Sequence, residues 1–417
     1  MNWTLTIKEF GPFNNTSLEL KPLTIFIGKN SLGKSLILRL LWSLSSAEPD
    51  YKEFSKEFMR LGGYSRRENL LLKDKEAIKN YANVYMRAFS FSLLKGIENK
   101  IKEIFGKTEG EIEVTSELAN IKVSNEAQSI LEPSLDKLID IEINTLSPLN
   151  VVFKFKDGEN SEYYIKTKED LDDALDLALL YFTYSRFEPF FQADTNRIFL
   201  IDGRAGLTRF FNLKFLKTLD FLDIISKEYL SSYSLLLEDF SKGKVDFNLI
   251  KDFFNELGFD LKLIEMEGIK SPHVKMWNGV TLPLSEAPSG IREALPITLA
   301  LASKEISVIY IEEPEAHLHP KAQRIVAKMI SEAVKNGKYV FLTTHSDYLL
   351  YSISNLIAMS QKDNKGLDPN KVAVYLLKRD CEYTRVDKVE VNEDGINEDE
   401  FTKVAEELLD EKGKIYG

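Results

Sequence analysis

The sequence has few of the residues on which several classes of protein depend. It contains one cysteine, Cys381, among 417 residues, which excludes an intramolecular disulfide and fits a reducing compartment. It has no apolar run long enough to span a bilayer, and no N-terminal stretch resembles a signal peptide. No heptad pattern is sustained, so we do not expect a long coiled-coil arm. These absences predict a cytoplasmic protein without a membrane anchor.

Basic residues are not in excess either. The chain has 54 lysine and arginine residues against 65 aspartate and glutamate residues, which gives a net charge of −11. This balance argues against a protein that coats nucleic acid through a generally basic surface, but it is compatible with a local basic patch. A hydrophobic share of 44% with 29% charged residues is typical of a globular protein. The length predicts two or three domain-sized units.

A glycine-bounded loop follows the first strongly apolar segment. Residues 24–27 are apolar and β-branched, as in a buried strand, and apolar positions recur at helical spacing over residues 36–41. Strand, loop and helix form the context in which G-x-x-x-x-G-K-S predicts a phosphate-binding loop, the alternative being a surface turn that matches by chance. The residues predicted to bind nucleotide here are Gly28, Lys29, Asn30, Ser31, Leu32, Gly33, Lys34, Ser35 and Leu36.

The residue types in this loop have chemical reasons. Gly28 and Gly33 allow successive backbone N–H groups to converge on phosphate oxygens, and the following helix points its N-terminus at the same anion. Lys34 supplies a positive charge for the β and γ phosphates, and Ser35 offers a hydroxyl ligand to Mg²⁺. The loop therefore predicts binding of ATP with Mg²⁺.

Polar residues also follow two later strand candidates. Residues 306–311 form a nearly continuous apolar run, typical of a central parallel strand, and Glu312 and Glu313 come directly after it. Residues 339–343 predict the next strand, and His345 stands just beyond it. Ligands bind at the carboxyl ends of such strands. We expect Glu312 to hold Mg²⁺ through water, Glu313 to orient or deprotonate the attacking water, and His345 to contact the γ phosphate or that water.

Two histidine assignments have alternatives. His317 and His319 lie two residues apart beside glutamates, which is compatible with zinc, although thiolate ligands are missing and a proline follows. A lone histidine such as His345 is often structural. Its position after the strand that follows the acidic one favours a nucleotide role.

Outside residues 47–196, which are described below, the pattern predicts β-structure and helices. Residues 1–22 predict two antiparallel strands of a small β-lobe, in which Phe10 or Phe13 either touches adenine or belongs to the core. Ser289 and Gly290 precede an apolar run and predict a helix N-terminus, which is a second anion site. Further strands are predicted at residues 197–201, 261–264, 274–277, 280–282, 372–377 and 384–391, and helices over residues 207–257 and 401–409.

Residues 47–196 form the insertion itself. Long amphipathic segments predict helices there, with one hairpin formed by residues 150–155 and 163–166 around an Asp-Gly pair. The arginine pair Arg66–Arg67 and the lysines of residues 95–107 either contact nucleic acid or a partner, or belong to a solvated helix face.

The order of these motifs resembles the ABC-type ATPase heads of the SMC, RecF and OLD-like group. GKNSLGKS resembles Walker A, PSGIRE the signature motif, VIYIEEPEAHLHP Walker B with its D-loop, and TTHS the histidine switch. The segments IKEFGPFNN, IFLIDGRAG and GINEDEFTKVAEELLDE are similar to stand-alone AAA-type ATPases grouped with OLD proteins. The resemblance covers residues 1–44 and the chain from residue 197 onward.

This resemblance implies an α/β P-loop NTPase fold, with a mixed β-lobe, a central, largely parallel sheet and a mainly helical insertion. It divides the chain into two parts of the head at residues 1–46 and 283–417, the insertion at 47–196, and a strand with a second helical region at 197–282. In the family, two heads dimerise head to tail. Lys34, Ser35, Glu312, Glu313 and His345 are then expected to act on one nucleotide, and Ser289 and Gly290 on the nucleotide of the partner.

The chain departs from the family pattern at several positions. Glu312 takes the place of the usual aspartate, and Pro288 takes that of the signature serine, so Ser289 would have to donate the hydroxyl. The segment at the place of the Q-loop has no glutamine. Its Arg204 is a candidate for nucleotide sensing, with ordinary salt-bridging as the alternative. Too few residues follow Lys371 for the nuclease domain of OLD proteins, so we do not expect nuclease activity in this chain.

The resemblance implies an ATPase whose nucleotide-gated dimerisation drives or signals to DNA maintenance or anti-phage defence. A separate effector such as a nuclease would act with it, and contact with nucleic acid is compatible with this function. One alternative is a nucleotide-binding scaffold with negligible turnover. Another is the motor subunit of a membrane transporter, which the large insertion and the altered signature disfavour.

Overall fold

The computed structural model describes most of the chain. The arginine pair Arg66–Arg67 and most of the helix predicted over residues 401–409 lie outside the described residues. The chain divides into two compact units, one formed by Met1–Leu18 with Leu40–Thr195 and the other by Glu19–Arg39 with Asn196–Gly417. The described residues are 3–63, 75–106, 110–116, 119–124, 131–133, 138–144, 149–155, 160–165, 171–185, 196–210, 222–266, 269–360, 366–397, 407, 409–412 and 414–415.

Side chains at the start of several helices satisfy backbone N–H groups that the helix leaves free. Asp223 and Asp246 cap two helices in this way, and Ser346 caps a third. The helices are α1 Lys34–Ser45, α2 Tyr51–Arg60, α3 Lys75–Phe105, α4 Leu171–Ser185, α5 Arg204–Leu207, α6 Ile224–Ser241, α7 Phe247–Leu257, α8 Ser289–Ala302, α9 Pro320–Lys335 and α10 Asp347–Met359.

The strands form four sheets among the described residues. In chain order they are β1 Trp3–Lys8, β2 Thr16–Leu20, β3 Leu23–Gly28, β4 Glu111–Thr115, β5 Ala119–Ser124, β6 Leu131–Pro133, β7 Leu138–Asn144, β8 Leu149–Phe155, β9 Asn160–Ile165, β10 Asn196–Leu200, β11 Phe259–Met266, β12 Ile269–Met276, β13 Thr281–Pro283, β14 Ile306–Glu312, β15 Tyr339–Thr343, β16 Val372–Asp380, β17 Tyr383–Asn392 and β18 Gly395–Asn397.

The first unit contains more β-structure than the sequence predicts. The predicted hairpin is present as β8 and β9, and α3 alone has 31 residues, but β4, β5, β6 and β7 come in addition. β4 pairs with β1, so the N-terminal strands belong to a five-stranded sheet of order β2-β1-β4-β5-β6. Phe10 and Phe13 are both buried, and Phe10 packs edge-on against Phe105. These two rings therefore belong to the core.

The second unit is built on a seven-stranded sheet of order β10-β14-β15-β3-β16-β17-β18. The first five strands of this order run parallel, β17 runs antiparallel to β16, and β18 runs antiparallel to β17. β3 and β14 are buried at almost every position, as expected of strands covered on both faces. The prediction of an α/β fold with a central, largely parallel sheet is confirmed. At the far end of β16, Cys381 lies exposed in the turn that leads to β17.

The register of this sheet brings the ends of its strands to one edge. Thr343, the last residue of β15, pairs with Glu312 on one side and with Phe26 on the other. Gly28, at the end of β3, pairs with Leu377 of β16. Residues that directly follow β14, β15 and β3 therefore lie at the same edge of the sheet, where these strands end. Within the described ranges, no helix is both long and apolar enough to cross a bilayer.

Candidate nucleotide-binding site

The predicted phosphate loop lies between β3 and α1. Lys29, Asn30 and Ser31 are exposed, and α1 begins at Lys34, so the first turn of this helix faces the loop. Gly28 has a φ of 132°, and a Cβ atom there would lie 2.4 Å from the carbonyl oxygen of Leu377. A side chain at this position would meet the backbone of the neighbouring strand. Glycine at position 28 is thus required by the sheet as well as by the loop.

Replacing Gly28 by alanine is expected to lower the free energy of unfolding by more than the ~1–3 kcal/mol that an unfavourable backbone angle costs. The added methyl group adds a clash with Leu377 to that strain. Urea unfolding measures the loss. Gly337→Ala is a suitable control, since Gly337 has a φ of 88° with no atom within 4 Å of an added Cβ. Equal losses in the two variants would show that the contact with Leu377 does not matter.

Lys34 is buried within this loop. Its Nζ donates hydrogen bonds to the carbonyl oxygens of Gly28 and Lys29, each at 2.8 Å. Burial lowers the pKa of Lys34 to about 8, although the nearby carboxylates of Glu313 and Glu315 oppose this shift. The amine is therefore still mainly protonated at neutral pH. A phosphate that replaces the two carbonyl oxygens would meet a cation already held in the loop.

The Glu312 side chain is fully buried at the end of β14. Its Oε2 accepts the Asp202 N–H at 3.0 Å, and its Oε1 lies 3.5 Å from Nε of Arg39 but has no hydrogen-bond partner among the described residues. Burial raises the pKa of Glu312, against the opposing effects of Arg39, the Asp202 N–H and the Ser35 hydroxyl.

An unsatisfied carboxylate oxygen beside a hydroxyl fits Mg²⁺, which takes oxygen ligands and uses few protein side chains when phosphates and waters complete its shell. Glu312 and Ser35 are the residues that would hold this ion. The donor set therefore agrees with the metal predicted from the sequence.

Glu313 and His345 face each other next to this position. Glu313 is held by its backbone, whose N–H donates to the carbonyl oxygen of Thr343 at 3.1 Å, while its side chain is 44% exposed. Its Oε1 lies 3.7 Å from Nε2 of His345. Burial and the charge of Lys34 lower the pKa of His345 in spite of Glu313. The imidazole is thus neutral at neutral pH and can donate one hydrogen bond.

A third carboxylate, Glu315, was given no role by the sequence reasoning. Its Oε1 accepts the backbone N–H of His345 at 2.6 Å. Burial raises the pKa of Glu315, and the His345 N–H partly offsets this effect. The only available signal was a glutamate two residues beyond Glu313. The residue it binds, His345, lies 30 positions later, and no nearby residue indicates this contact.

Ser289 and Gly290 form the first turn of α8 and lie apart from the phosphate loop. Ser289 is exposed and lines a cavity of about 630 Å³ with Arg209 and Arg292. No residue of the phosphate loop is among the described residues that line this cavity. A Cβ atom on Gly290 would lie 3.0 Å from the carbonyl oxygen of His317, which follows Walker B. The structure thus groups Lys34, Ser35, Glu312, Glu313 and His345, and places the first turn of α8 elsewhere.

Arg204 is a structural residue in this chain. It is fully buried and pairs with Glu293 at 3.1 Å, while the other carboxylate oxygen of Glu293 accepts the Ala205 N–H at 2.6 Å. The salt-bridging alternative therefore describes Arg204, and nucleotide sensing finds no support. Its guanidinium also donates to five main-chain carbonyl oxygens, those of Leu200, Ile201, Glu293, Glu312 and Glu313.

The two histidines of the D-loop do not form a metal centre. Nδ1 of His319 accepts the backbone N–H of Lys321 and caps α9, and His317 is exposed. Within the described ranges, no cluster of three or more histidine, cysteine, aspartate or glutamate residues is arranged to hold a metal ion. The zinc alternative is therefore unsupported.

The largely parallel sheet, with the phosphate loop between β3 and α1, gives the second unit the arrangement of a P-loop NTPase. A family model described as an AAA ATPase domain matches residues 3–350, and the chain therefore belongs to this family. A comparison with curated proteins gives no match.

Several solved SMC heads are similar to the chain at low identity. One, bound to the C-winged helix domain of ScpA, has 14% identity and a TM-score of 0.40, with 93% of this chain and 97% of that chain covered. The SMC head domain from Thermotoga maritima has 12% identity and a TM-score of 0.37, with coverages of 94% and 99%. An SMC head with an extended coiled coil, bound to the C-terminal domain of ScpA derived from Pyrococcus furiosus, has 14% identity and a TM-score of 0.41, with coverages of 97% and 98%.

Proposed function

We propose that the protein binds ATP with Mg²⁺ and hydrolyses it to ADP and phosphate. The observation that carries this proposal is the meeting of Lys34, Glu312, Glu313 and His345 at the ends of three adjacent parallel strands. Membership of the AAA ATPase domain family supports the same activity. The alternative of a scaffold with negligible turnover would have no need for a carboxylate and a neutral imidazole that face each other.

Each residue has a separate task in this reaction. The Lys34 amine would leave the loop carbonyls to bind oxygens of the β and γ phosphates. Ser35 and Glu312 would hold Mg²⁺, which would supply positive charge for these phosphates. Glu313 orients the attacking water and takes its proton. The neutral imidazole of His345 donates a hydrogen bond to the γ phosphate or to that water.

We further propose that two copies of the chain close over the nucleotide head to tail. Ser289 and Gly290 of each copy would then reach the γ phosphate held by the other, for which an exposed helix N-terminus is well suited. The two arginines that line the same cavity favour an anion there. ATP favours the closed dimer through these contacts, and hydrolysis removes them.

We also propose a role for this cycle of dimer closing and opening. Opening and closing of the dimer would drive, or signal to, a process on nucleic acid in the cytoplasm, such as DNA maintenance or anti-phage defence. A separate effector such as a nuclease would carry out the chemistry on the nucleic acid. The division of the chain into a second unit, which carries the nucleotide-binding motifs, and a first unit, which lacks them, is consistent with such coupling.

Mixing two inactive variants tests the composite site. Lys34→Ala removes the phosphate-binding cation, and Ser289→Arg obstructs the exposed first turn of α8. Each variant alone should hydrolyse little ATP. In an equal mixture, half of the dimers contain one of each and have one intact site, so about a quarter of wild-type turnover should return. Phosphate release measures it.

An exposed serine elsewhere provides the control. Ser241→Arg, at the end of α6, should leave turnover unchanged alone, and its equal mixture with Lys34→Ala should give about half of wild-type turnover, as wild-type protein does in the same mixture. If the mixture stays inactive although both variants are folded, the site is not shared between copies. If wild-type protein releases no phosphate at saturating ATP and Mg²⁺, the ATPase proposal itself fails.

A further inference from the structure

A carboxylate outside the proposed catalytic set links the two turns that carry Glu313 and His345. Glu315 lies in the turn after β14, and its Oε1 accepts the backbone N–H of His345 in the turn after β15, at 2.6 Å. Its Oε2 is buried, and the Thr344 hydroxyl and the N–H of Glu315 itself also interact with this carboxylate. At 2.6 Å, this contact is short for a hydrogen bond from an N–H group, and it attaches the backbone of His345 to the turn after β14.

The residues on either side of His345 are fixed by other groups. The Thr344 N–H donates to the carbonyl oxygen of Phe26 at 3.1 Å, in line with the β-sheet. The Ser346 hydroxyl donates to Gln323 and accepts the N–H of Leu349 as the cap of α10. Between Thr344 and Ser346, the hydrogen bond from the His345 N–H to Glu315 fixes the main chain at residue 345.

The imidazole depends on this backbone for its position. It is about one-third exposed, and its Nε2 lies 3.7 Å from Glu313, which is too far for a direct hydrogen bond. The carboxylate of Glu313 therefore does not fix the ring through a hydrogen bond. Since the ring has this open side, its orientation is set mainly by where the main chain of residue 345 is held.

We propose that Glu315 is a positioning residue that holds His345 at the distance from Glu313 that hydrolysis requires. This inference rests on the proposed ATPase function, because it assigns Glu315 a part in that reaction. Glu315 acts through His345 and does not touch the nucleotide. Its own charge also lies close enough to Lys34 to favour the protonated lysine.

A double-mutant cycle on turnover tests the proposal. Glu315→Ala removes the acceptor and should lower kcat by about 10- to 100-fold, as loss of a supporting hydrogen bond does in other sites, with KM for ATP nearly unchanged. Glu315→Gln keeps an oxygen that accepts the His345 N–H and should retain most of the turnover. In the His345→Ala background, Glu315→Ala should have no further effect, because the residue through which Glu315 acts is gone.

Two outcomes of this cycle would overturn the inference. One is an equal loss in the glutamine and alanine variants, which would assign the effect to charge and not to the hydrogen bond. The other is a full additional loss from Glu315→Ala when His345 is already alanine, which would show that Glu315 acts independently. Circular dichroism and thermal melting of every variant show whether it is folded.

A second readout does not depend on ATP turnover. The chain has four histidines, so ¹³C-labelled histidine gives four imidazole signals, and His345→Ala identifies the one from His345. Glu315→Ala should shift and broaden that signal and leave that of His273, far along the chain on β12, unchanged. An unmoved His345 signal would disprove the positioning role even if the protein had no ATPase activity. If the His345 signal shifts but wild-type protein does not hydrolyse ATP, the proposed function is wrong. The contact between Glu315 and His345 would still be supported.

Discussion

Glu313→Gln is expected to lower ATP turnover by about 10²–10⁴-fold, which is the usual contribution of a general base. Glutamine has nearly the same shape but cannot take a proton from water. The backbone N–H of Glu313 donates to the carbonyl oxygen of Thr343 in either variant, so the turn should keep its position. Phosphate release under saturating ATP and Mg²⁺ measures the loss.

Nucleotide binding should survive this substitution, because Lys34 and the loop remain intact. A variant that binds ATP without hydrolysing it should accumulate as dimer, which sedimentation in the presence of ATP detects. Glu382→Gln, in the exposed turn between β16 and β17, is the matched control and should behave as wild type. Hydrolysis at the wild-type rate in the Glu313 variant would refute its role as the base.

Arg204→Met is expected to cost about 3–5 kcal/mol of the free energy of unfolding, the usual effect of removing one partner of a buried ion pair. Glu293 would keep a buried negative charge without its cation. Five carbonyl oxygens would also lose a donor, those of Leu200, Ile201, Glu293, Glu312 and Glu313. Urea unfolding of the intact chain, followed by circular dichroism, measures the change.

An arginine on the surface provides the comparison. Arg385 pairs with Asp387 at 2.9 Å, but its side chain is 57% exposed, so Arg385→Met should cost no more than about 1 kcal/mol. Adding Glu293→Leu to Arg204→Met should recover part of the loss by removing the unpaired charge. It should not recover all of it, since the carbonyl oxygens stay without a donor. A loss from Arg204→Met as small as that from Arg385→Met would show that the buried network contributes little.

The central sheet and the positions of most candidate site residues along it were predictable from local sequence. Continuous apolar runs at residues 306–311 and 339–343 indicate parallel strands, and such strands end at one edge. The observed pairing of Glu312 with Thr343 follows from this arrangement. The phosphate loop lies where its motif predicts, between β3 and α1. Glycine, lysine and serine at those spacings are typical of phosphate binding, so the motif is specific.

Contacts between distant parts of the chain were not predictable. β4 has the alternation of a strand, but its partner β1 lies about a hundred residues earlier, and nothing in the intervening sequence specifies that pairing. Arg204 was open to two interpretations because burial depends on Glu293, which is 89 residues away. The contact of Glu315 was not predictable for the same reason, since it is made to the backbone of His345, 30 residues later.

The position of Cys381 provides a test of whether two copies come together. Residue 381 comes four residues after Leu377, which pairs with Gly28, so the β16–β17 hairpin extends about 13 Å past the start of the phosphate loop. One exposed thiol per chain accepts one fluorophore at this outer edge. Energy transfer between two labelled chains should then rise when nucleotide draws them together and fall again as phosphate leaves.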